Sequence, residues 1–230
     1  MREEVDEEHC KVVLVGNAGV GKTSIIKRYV NNEKIGNEQP TVNATYSKKN
    51  IEFENKNKKV QLDIWDTAGT EAYRSLASMY YRDAQVCILV FDISNSVTLE
   101  ALKNYWIKEV RDKAPKEIIL AIAANKSDII EGALCTELGE AFAKKERVIF
   151  KLVSAFNNSG LDELFTELAS EYLKSKEKNE VNEDEKEGNE EKKEGNEEKK
   201  EGNEEKNGGK KLKLKAEKDN GNIKKEKKCC

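Results

Sequence analysis

Between Lys11 and Lys174 the apolar residues fall into short runs separated by polar breaks. Lys11–Val15 is such a run, stopped at Gly16, and a helical spacing follows from Lys22 to Asn31. Val60–Trp65 alternates and ends at Asp66. Gln85–Phe91, Ile118–Ala124 and Val148–Val153 are continuous, as expected of strands buried on both faces. Amphipathic stretches occupy Thr98–Lys113, Thr136–Lys145 and Leu161–Lys174. Lys48–Glu54, followed by the polar Asn55–Lys58, reads as a strand turning back into its neighbour. The pattern predicts an α/β domain, with a mostly parallel six-stranded sheet, one antiparallel edge strand and helices on both faces.

Beyond Lys174 the large apolar residues nearly vanish. Glu-Gly-Asn-Glu-Glu-Lys-Lys occurs at Glu187–Lys193 and Glu194–Lys200, and a third copy from Glu201 carries Asn207 in place of the last Lys. A coiled coil needs apolar residues at two places per repeat, and these repeats have none. A Gly in each copy costs about 1 kcal/mol of helix stability relative to Ala. The expectation is a folded domain at 10–174, a disordered acidic spacer at 175–209, and a basic tail at 210–230 that ends in Cys229-Cys230. As a flexible chain the spacer and tail would reach on the order of 40 Å.

Composition agrees with a core diluted by a polar segment: 37% of residues are hydrophobic and 37% charged. The net charge of -3 averages over these unlike regions and says little about partners. Cys10, Cys87, Cys135, Cys229 and Cys230 follow neither a disulfide framework nor a metal-ligand spacing. Met1–His9 is short and acidic, without the apolar segment of a signal peptide, and no stretch has the length of a membrane span. The expected compartment is cytosolic and reducing. His9 is read as part of a solvated lead.

Three motifs carry chemistry. Gly16-Asn17-Ala18-Gly19-Val20-Gly21-Lys22-Thr23, with Ser24 following, fits a phosphate-binding loop placed between a strand and a helix. Its glycines let backbone N–H groups converge on phosphate oxygens, and the helix N-terminus adds a favourable dipole. Lys22 supplies charge to the terminal phosphates and the Thr23 hydroxyl can ligate Mg²⁺. Asp66-Thr67-Ala68-Gly69 ends a strand; the Asp suits Mg²⁺ and the Gly N–H suits a γ-phosphate. Asn125-Lys126-Ser127-Asp128 also follows a strand, and a carboxylate accepting two N–H groups from guanine would leave adenine unmatched. Ser154-Ala155 closes the last strand.

On these residues the chain from Cys10 to Lys174 resembles a small GTPase of the Ras superfamily, most like its Rab members and their endosomal branch. Trp65–Gly69 and the run from Tyr73-Arg74-Ser75-Leu76 through Met79–Ala84 are Rab-like. The resemblance implies a P-loop GTPase fold and a GTP/GDP switch with Mg²⁺ held at Thr23, Thr41 and Asp66. Thr41, Gly69, Thr70 and Lys22 would serve hydrolysis. Asn125 and Asp128 would read guanine, Lys126 would pack along the nucleotide, and the Ala155 N–H would meet the base oxygen. Tyr46, Trp65 and Tyr80 would present the GTP state to effectors, and ordinary core packing explains the same aromatics equally well. The implied partners are an exchange factor, a GTPase-activating protein, a GDP-dissociation inhibitor and effectors in membrane trafficking. Cys229 and Cys230 resemble a double-prenylation site, and two lipids anchor where one does not. Lysines upstream add about 1 kcal/mol each on an anionic leaflet. The implied location is the cytosol and the cytoplasmic face of an endosomal or vesicular membrane.

Three departures qualify the resemblance. Thr70 stands where most of the family has the Gln that orients the attacking water, so intrinsic hydrolysis is expected below the order of 10⁻⁴ s⁻¹ of an unassisted member. Activating proteins of Rab members insert their own Gln and Arg, which implies that assisted hydrolysis survives. No aromatic lies between Val30 and Thr41, Lys34 falling where a ring usually covers the guanine, so fast GDP release is expected. Thr41-Val42-Asn43-Ala44-Thr45-Tyr46 replaces the common Thr-Ile-Gly start. Phe156, after Ser154-Ala155 where Lys or Leu is common, is assigned no role.

A hydrolysis-deficient, occupancy-driven scaffold is the alternative that Thr70 favours. A phosphate-loop kinase fits the first motif but not Asp128. Nucleic acid is not an expected partner, because Glu217, Asp219 and Glu226 interrupt the tail's lysines and no aromatics are there to stack.

Overall fold

The computed structural model of the chain describes residues 6–34, 36, 39, 41–69, 74–129 and 133–197. The chain divides into two units, Met1–Val181 and Asn182–Cys230. Strands β1 (Asp6–Val15), β2 (Thr45–Phe53), β3 (Lys58–Asp66), β4 (Val86–Asp92), β5 (Ile119–Asn125) and β6 (Ile149–Leu152) form one sheet in the order β2-β3-β1-β4-β5-β6. β2 runs antiparallel to β3 at the edge, and every other pairing is parallel. This is the sheet that the apolar pattern predicts. Helices α1 (Lys22–Asn31), α2 (Arg74–Tyr81), α3 (Ser96–Ala101), α4 (Ile107–Lys113), α5 (Ala133–Glu146) and α6 (Leu161–Glu197) accompany it.

Alternation along the strands divides the core in two. Val12, Leu14, Ile64, Ile88 and Val90 point to one face, where Ile25, Ile26 and Tyr29 of α1 meet Leu164, Phe165 and Leu168 of α6. Val13, Val15, Cys87, Leu89 and Phe91 point to the other, against Tyr81, Leu99, Leu102, Trp106, Ile107 and Val110. With both faces covered, β4 is buried at every position, which is why its sequence is apolar from Val86 to Phe91, up to the closing Asp92. Tyr29 and Phe165 stack at 3.9 Å and 9°, joining α1 to α6.

The structure departs from the sequence pattern in four places. β1 starts at Asp6, so Asp6–His9 belongs to the sheet instead of a solvated lead. Its polar residues pair with Lys58–Gln61 through the backbone, helped by Lys59–Glu7 at 3.1 Å and Lys58–Asp6 at 3.8 Å. α2 was not marked by the apolar pattern. The helix expected over Thr98–Lys113 begins at Ser96, capped by Asn95, whose side chain accepts from the Val97 N–H. It is interrupted by a π-helical segment, Leu102–Trp106, where the Ile107 N–H reaches the Leu102 carbonyl. Lastly, α6 continues to Glu197, past Lys174 where the amphipathic pattern stops and the spacer was expected. Glu and Lys are strong helix formers, and their backbone preference favours a helix there. Among the described residues no helix is long and apolar enough to cross a membrane.

Candidate functional site

The carboxyl ends of the parallel strands converge at one edge of the sheet, the usual place for a ligand in an open α/β fold. Val15 leads into the phosphate loop, Asp66 ends β3, Asp92 ends β4, Asn125 ends β5, and Ser154 follows β6. A cleft of about 390 Å³ opens there, between Ala18, Gly21, Lys22, Thr23 and Ser24 on one side and Asn125, Lys126, Asp128, Ala155 and Phe156 on the other.

Gly21 starts α1 with φ 95°, and a Cβ there would lie 2.3 Å from Asn125 Nδ2, so both conformation and space demand glycine. Lys22 is 5% exposed and donates to the carbonyls of Gly16 at 2.9 Å and Asn17 at 3.1 Å. Burial lowers its pKa to about 8, against the opposing influence of the Asp66 charge. A Cβ on Gly69 would sit 2.5 Å from Lys22 Nζ and 2.6 Å from the Ala18 nitrogen. The Asp66–Gly69 segment therefore closes directly onto the phosphate loop.

Three oxygens gather beside Lys22. Thr23 Oγ1 donates to Asp66 Oδ2 at 2.5 Å and is hydrogen-bonded to Thr41 Oγ1 at 2.8 Å. Asp66 is 1% exposed, and among the described residues its Oδ1 is a buried acceptor with no hydrogen-bond partner. Burial raises its pKa, while the Thr23 hydroxyl and the Lys22 charge pull it back. A hard dication takes oxygen ligands, and an orphaned carboxylate oxygen beside two hydroxyls fits Mg²⁺. Thr67 Oγ1 anchors this strand end by donating to the Leu14 carbonyl at 2.6 Å.

Across the cleft, Asn125 Nδ2 donates to the Val20 carbonyl at 2.8 Å and its Oδ1 accepts from the Ala155 N–H at 3.2 Å. One side chain thus braces the phosphate loop against the loops after β5 and β6. Lys126 Nζ is paired with Asp92 Oδ2 at 2.6 Å, which leaves its stem along the cleft wall. Asp128 Oδ1 accepts from Ser154 Oγ at 2.5 Å.

Of the residues expected from sequence to contact nucleotide, Ala18, Gly19, Gly21, Lys22, Thr23, Ser24, Thr41, Gly69, Asn125, Lys126, Asp128 and Ala155 line the cleft. Gly16, Val20, Asp66 and Ser154 stand in the second layer, where Val20 and Ser154 are fully buried. Asn17 turns its side chain away from the cleft, toward Trp106. Thr70, Tyr73, Cys229 and Cys230 lie outside the described residues. Tyr46, Trp65 and Tyr80 do come together, with centroid separations of 5.2 Å and 5.6 Å. Tyr46 is 44% exposed and its hydroxyl donates to Asp63 Oδ1 at 2.5 Å.

Sequence reasoning missed Asp92, Trp106 and Phe156. Asp92 carried a readable sign, an acid closing a buried strand. Phe156 is 68% exposed at the base end of the cleft, and among the described residues it is the aromatic lining it.

A phosphate loop, an oxygen cluster and an Asn-x-x-Asp loop on one doubly covered parallel sheet define a phosphate-loop nucleotide-binding protein. The chain belongs to the Ras family as one of its Rab small GTPases, and residues 11–174 match the Ras family model. It is 41% identical to human Ras-related protein Rab-22A over 160 residues, covering 69% of this chain and 81% of that one. It is 38% identical to GTP-binding protein ypt5 of Schizosaccharomyces pombe over 161 residues, 69% and 75% of the two chains. With Caenorhabditis elegans Ras-related protein rab-11.1 it shares 36% over 175 residues, 76% and 82% of the two.

Proposed function

We propose that the chain is a guanine-nucleotide switch that hydrolyses GTP slowly and recruits effectors in vesicle and endosomal membrane trafficking. The observation that carries this reading is the joining, in one cleft, of the Thr23–Thr41–Asp66 oxygen cluster and the Asp128 carboxylate. Asp128, held by Ser154, accepts the paired N–H groups of guanine, and the Ala155 N–H lies on the same side for the base oxygen. Lys22 moves from the Gly16 and Asn17 carbonyls to the terminal phosphates. Thr23, Thr41 and Asp66 would hold Mg²⁺, which would neutralise phosphate charge. The Gly69 N–H serves the γ-phosphate, and Thr70 leaves the attacking water without an amide to orient it.

Thr41 and the Gly69 N–H meet the γ-phosphate, and Tyr46, Trp65 and Tyr80 present the GTP state to effectors. An exchange factor, an activating protein and a GDP-dissociation inhibitor complete the cycle. The acidic spacer of 175–209 and the lysines of 210–230 lead to lipid-bearing Cys229 and Cys230 on a cytoplasmic membrane face. The competing reading, a scaffold that acts by GTP occupancy, is favoured by Thr70 alone.

The deciding experiment is to purify the chain without added nucleotide, denature it and identify what is released. GDP near one equivalent supports the slow GTPase, GTP supports the scaffold, and neither counts against both.

A further inference from the structure

Helix α3 runs into α4 through the π-helical segment Leu102–Trp106, and that segment carries Trp106, a side chain only 1% exposed. Its indole N–H donates to Asn17 Oδ1 at 2.7 Å. A buried indole N–H requires an acceptor. The acceptor used here belongs to the phosphate loop. One extra residue in a helical turn rotates everything beyond it by about 100°, so the π-turn decides which side of the helix Trp106 occupies.

Asn17 is held from several sides. Its carbonyl accepts from Lys22 Nζ at 3.1 Å, its side chain accepts from Trp106, and a Cβ on Gly69 would lie 2.6 Å from its carbonyl carbon. The Asn17–Ala18 peptide is thus where the catalytic lysine, the γ-phosphate segment and the α3–α4 helix meet. A shift of that peptide changes both the mouth of the phosphate loop and the seat of Gly69.

We infer that Trp106 is a positioning residue for the phosphate loop: acting through Asn17, it holds the loop in its phosphate-gripping form and so sets how long the nucleotide stays. This rests on the guanine-nucleotide reading above. A neutral hydrogen bond contributes about 1 kcal/mol net, which corresponds to a roughly fivefold change in rate at 1.4 kcal/mol per tenfold.

The test loads the full chain with a fluorescent GDP analogue and follows its release from wild type, Trp106→Phe, Asn17→Ala and the double variant. Trp106→Phe keeps most of the ring volume, and Asn17→Ala leaves the core untouched should the first variant fold poorly. Each single change is expected to speed release about fivefold, and the double to be no faster than either, since both remove one interaction. In ¹⁵N-tryptophan-labelled protein, Asn17→Ala is expected to move the Trp106 indole signal and leave that of Trp65 in place. Unchanged release in both single variants, multiplying effects in the double, or an unmoved Trp106 signal would each overturn the inference. A wild-type chain that takes up no GDP analogue overturns the guanine-nucleotide reading together with it.

Discussion

Thr23 Oγ1 lies 2.5 Å from Asp66 Oδ2, joining the first turn of α1 to the end of β3, while the other Asp66 oxygen is buried without a partner among the described residues. The contact holds a charged carboxylate in a buried place, at a cost in stability that a bound dication would offset. Asp66→Asn removes the buried charge and keeps an acceptor for Thr23. It is expected to raise the melting temperature of the nucleotide-free chain by about 2–4 °C, the equivalent of 1 kcal/mol at this size. The same change is expected to abolish the extra stabilisation that Mg²⁺ gives the GDP-bound form, as thermal melts with and without Mg²⁺ will show.

On the guanine-nucleotide reading, Asp128 is the group that selects guanine. Charge-assisted hydrogen bonds contribute about 1.5–3 kcal/mol, so Asp128→Ala should lower the preference for GDP over inosine diphosphate by roughly 10- to 150-fold. Inosine lacks the exocyclic amine that the carboxylate reads. Competition binding with the two nucleotides measures the ratio directly, and an unchanged ratio would remove Asp128 from the role.

On the guanine-nucleotide reading, Phe156 is placed to stack on the base without reading its edge. The segment around Lys34 offers no ring, and the exposed Phe156 face is available at the base end of the cleft. Base–aromatic stacking contributes about 1–3 kcal/mol, so Phe156→Ala should speed GDP release at least fivefold, by the ~1.4 kcal/mol per tenfold conversion. It should weaken GDP and inosine diphosphate alike. A loss confined to GDP would place Phe156 on the guanine edge instead.

Thr70→Gln restores an amide where the attacking water needs orienting. The expected outcome is a higher intrinsic rate in single-turnover hydrolysis, approaching the order of 10⁻⁴ s⁻¹. No increase would show that Thr70 is not what limits the reaction.

Cys10 and Cys87 are both fully buried thiols. Burial pushes the Cys10 pKa up to about 12 from an ordinary 9.0, with a further push from the Asp63 charge, and burial alone raises Cys87 beyond that range. Because the folded values are raised, this contribution to stability is complete below pH 9.0 and is lost as pH climbs toward about 12. Thiol labelling of the folded chain at pH 8 should spare both and modify the half-buried Cys135. Denaturant should make all of them react.

The strands were legible because burial on both sides leaves an unbroken apolar run, as in Val86–Phe91, and because each chemical motif begins where such a run stops. Backbone pairing at the polar start of β1 left no such trace: Asp6–His9 joins β3 through main-chain groups that any residue supplies. The π-turn at Leu102–Trp106 was hidden for a related reason. Leu99, Leu102, Trp106 and Val110 satisfy a helical period well enough that an extra residue goes unnoticed. Trp106 accordingly reads as ordinary core, and only its distance to Asn17 distinguishes it. Phe156 is legible as a position but not as a contact, since the turn after β6 decides which way the ring faces.

The two hydrogen bonds of the Asn125 amide, to Val20 and from Ala155, have a metric consequence. A planar amide has a fixed span, so it works as a calliper set between the phosphate loop and the loop after β6. On the guanine-nucleotide reading, that fixed span sets how far apart a ligand's phosphates and base must lie to meet both jaws at once.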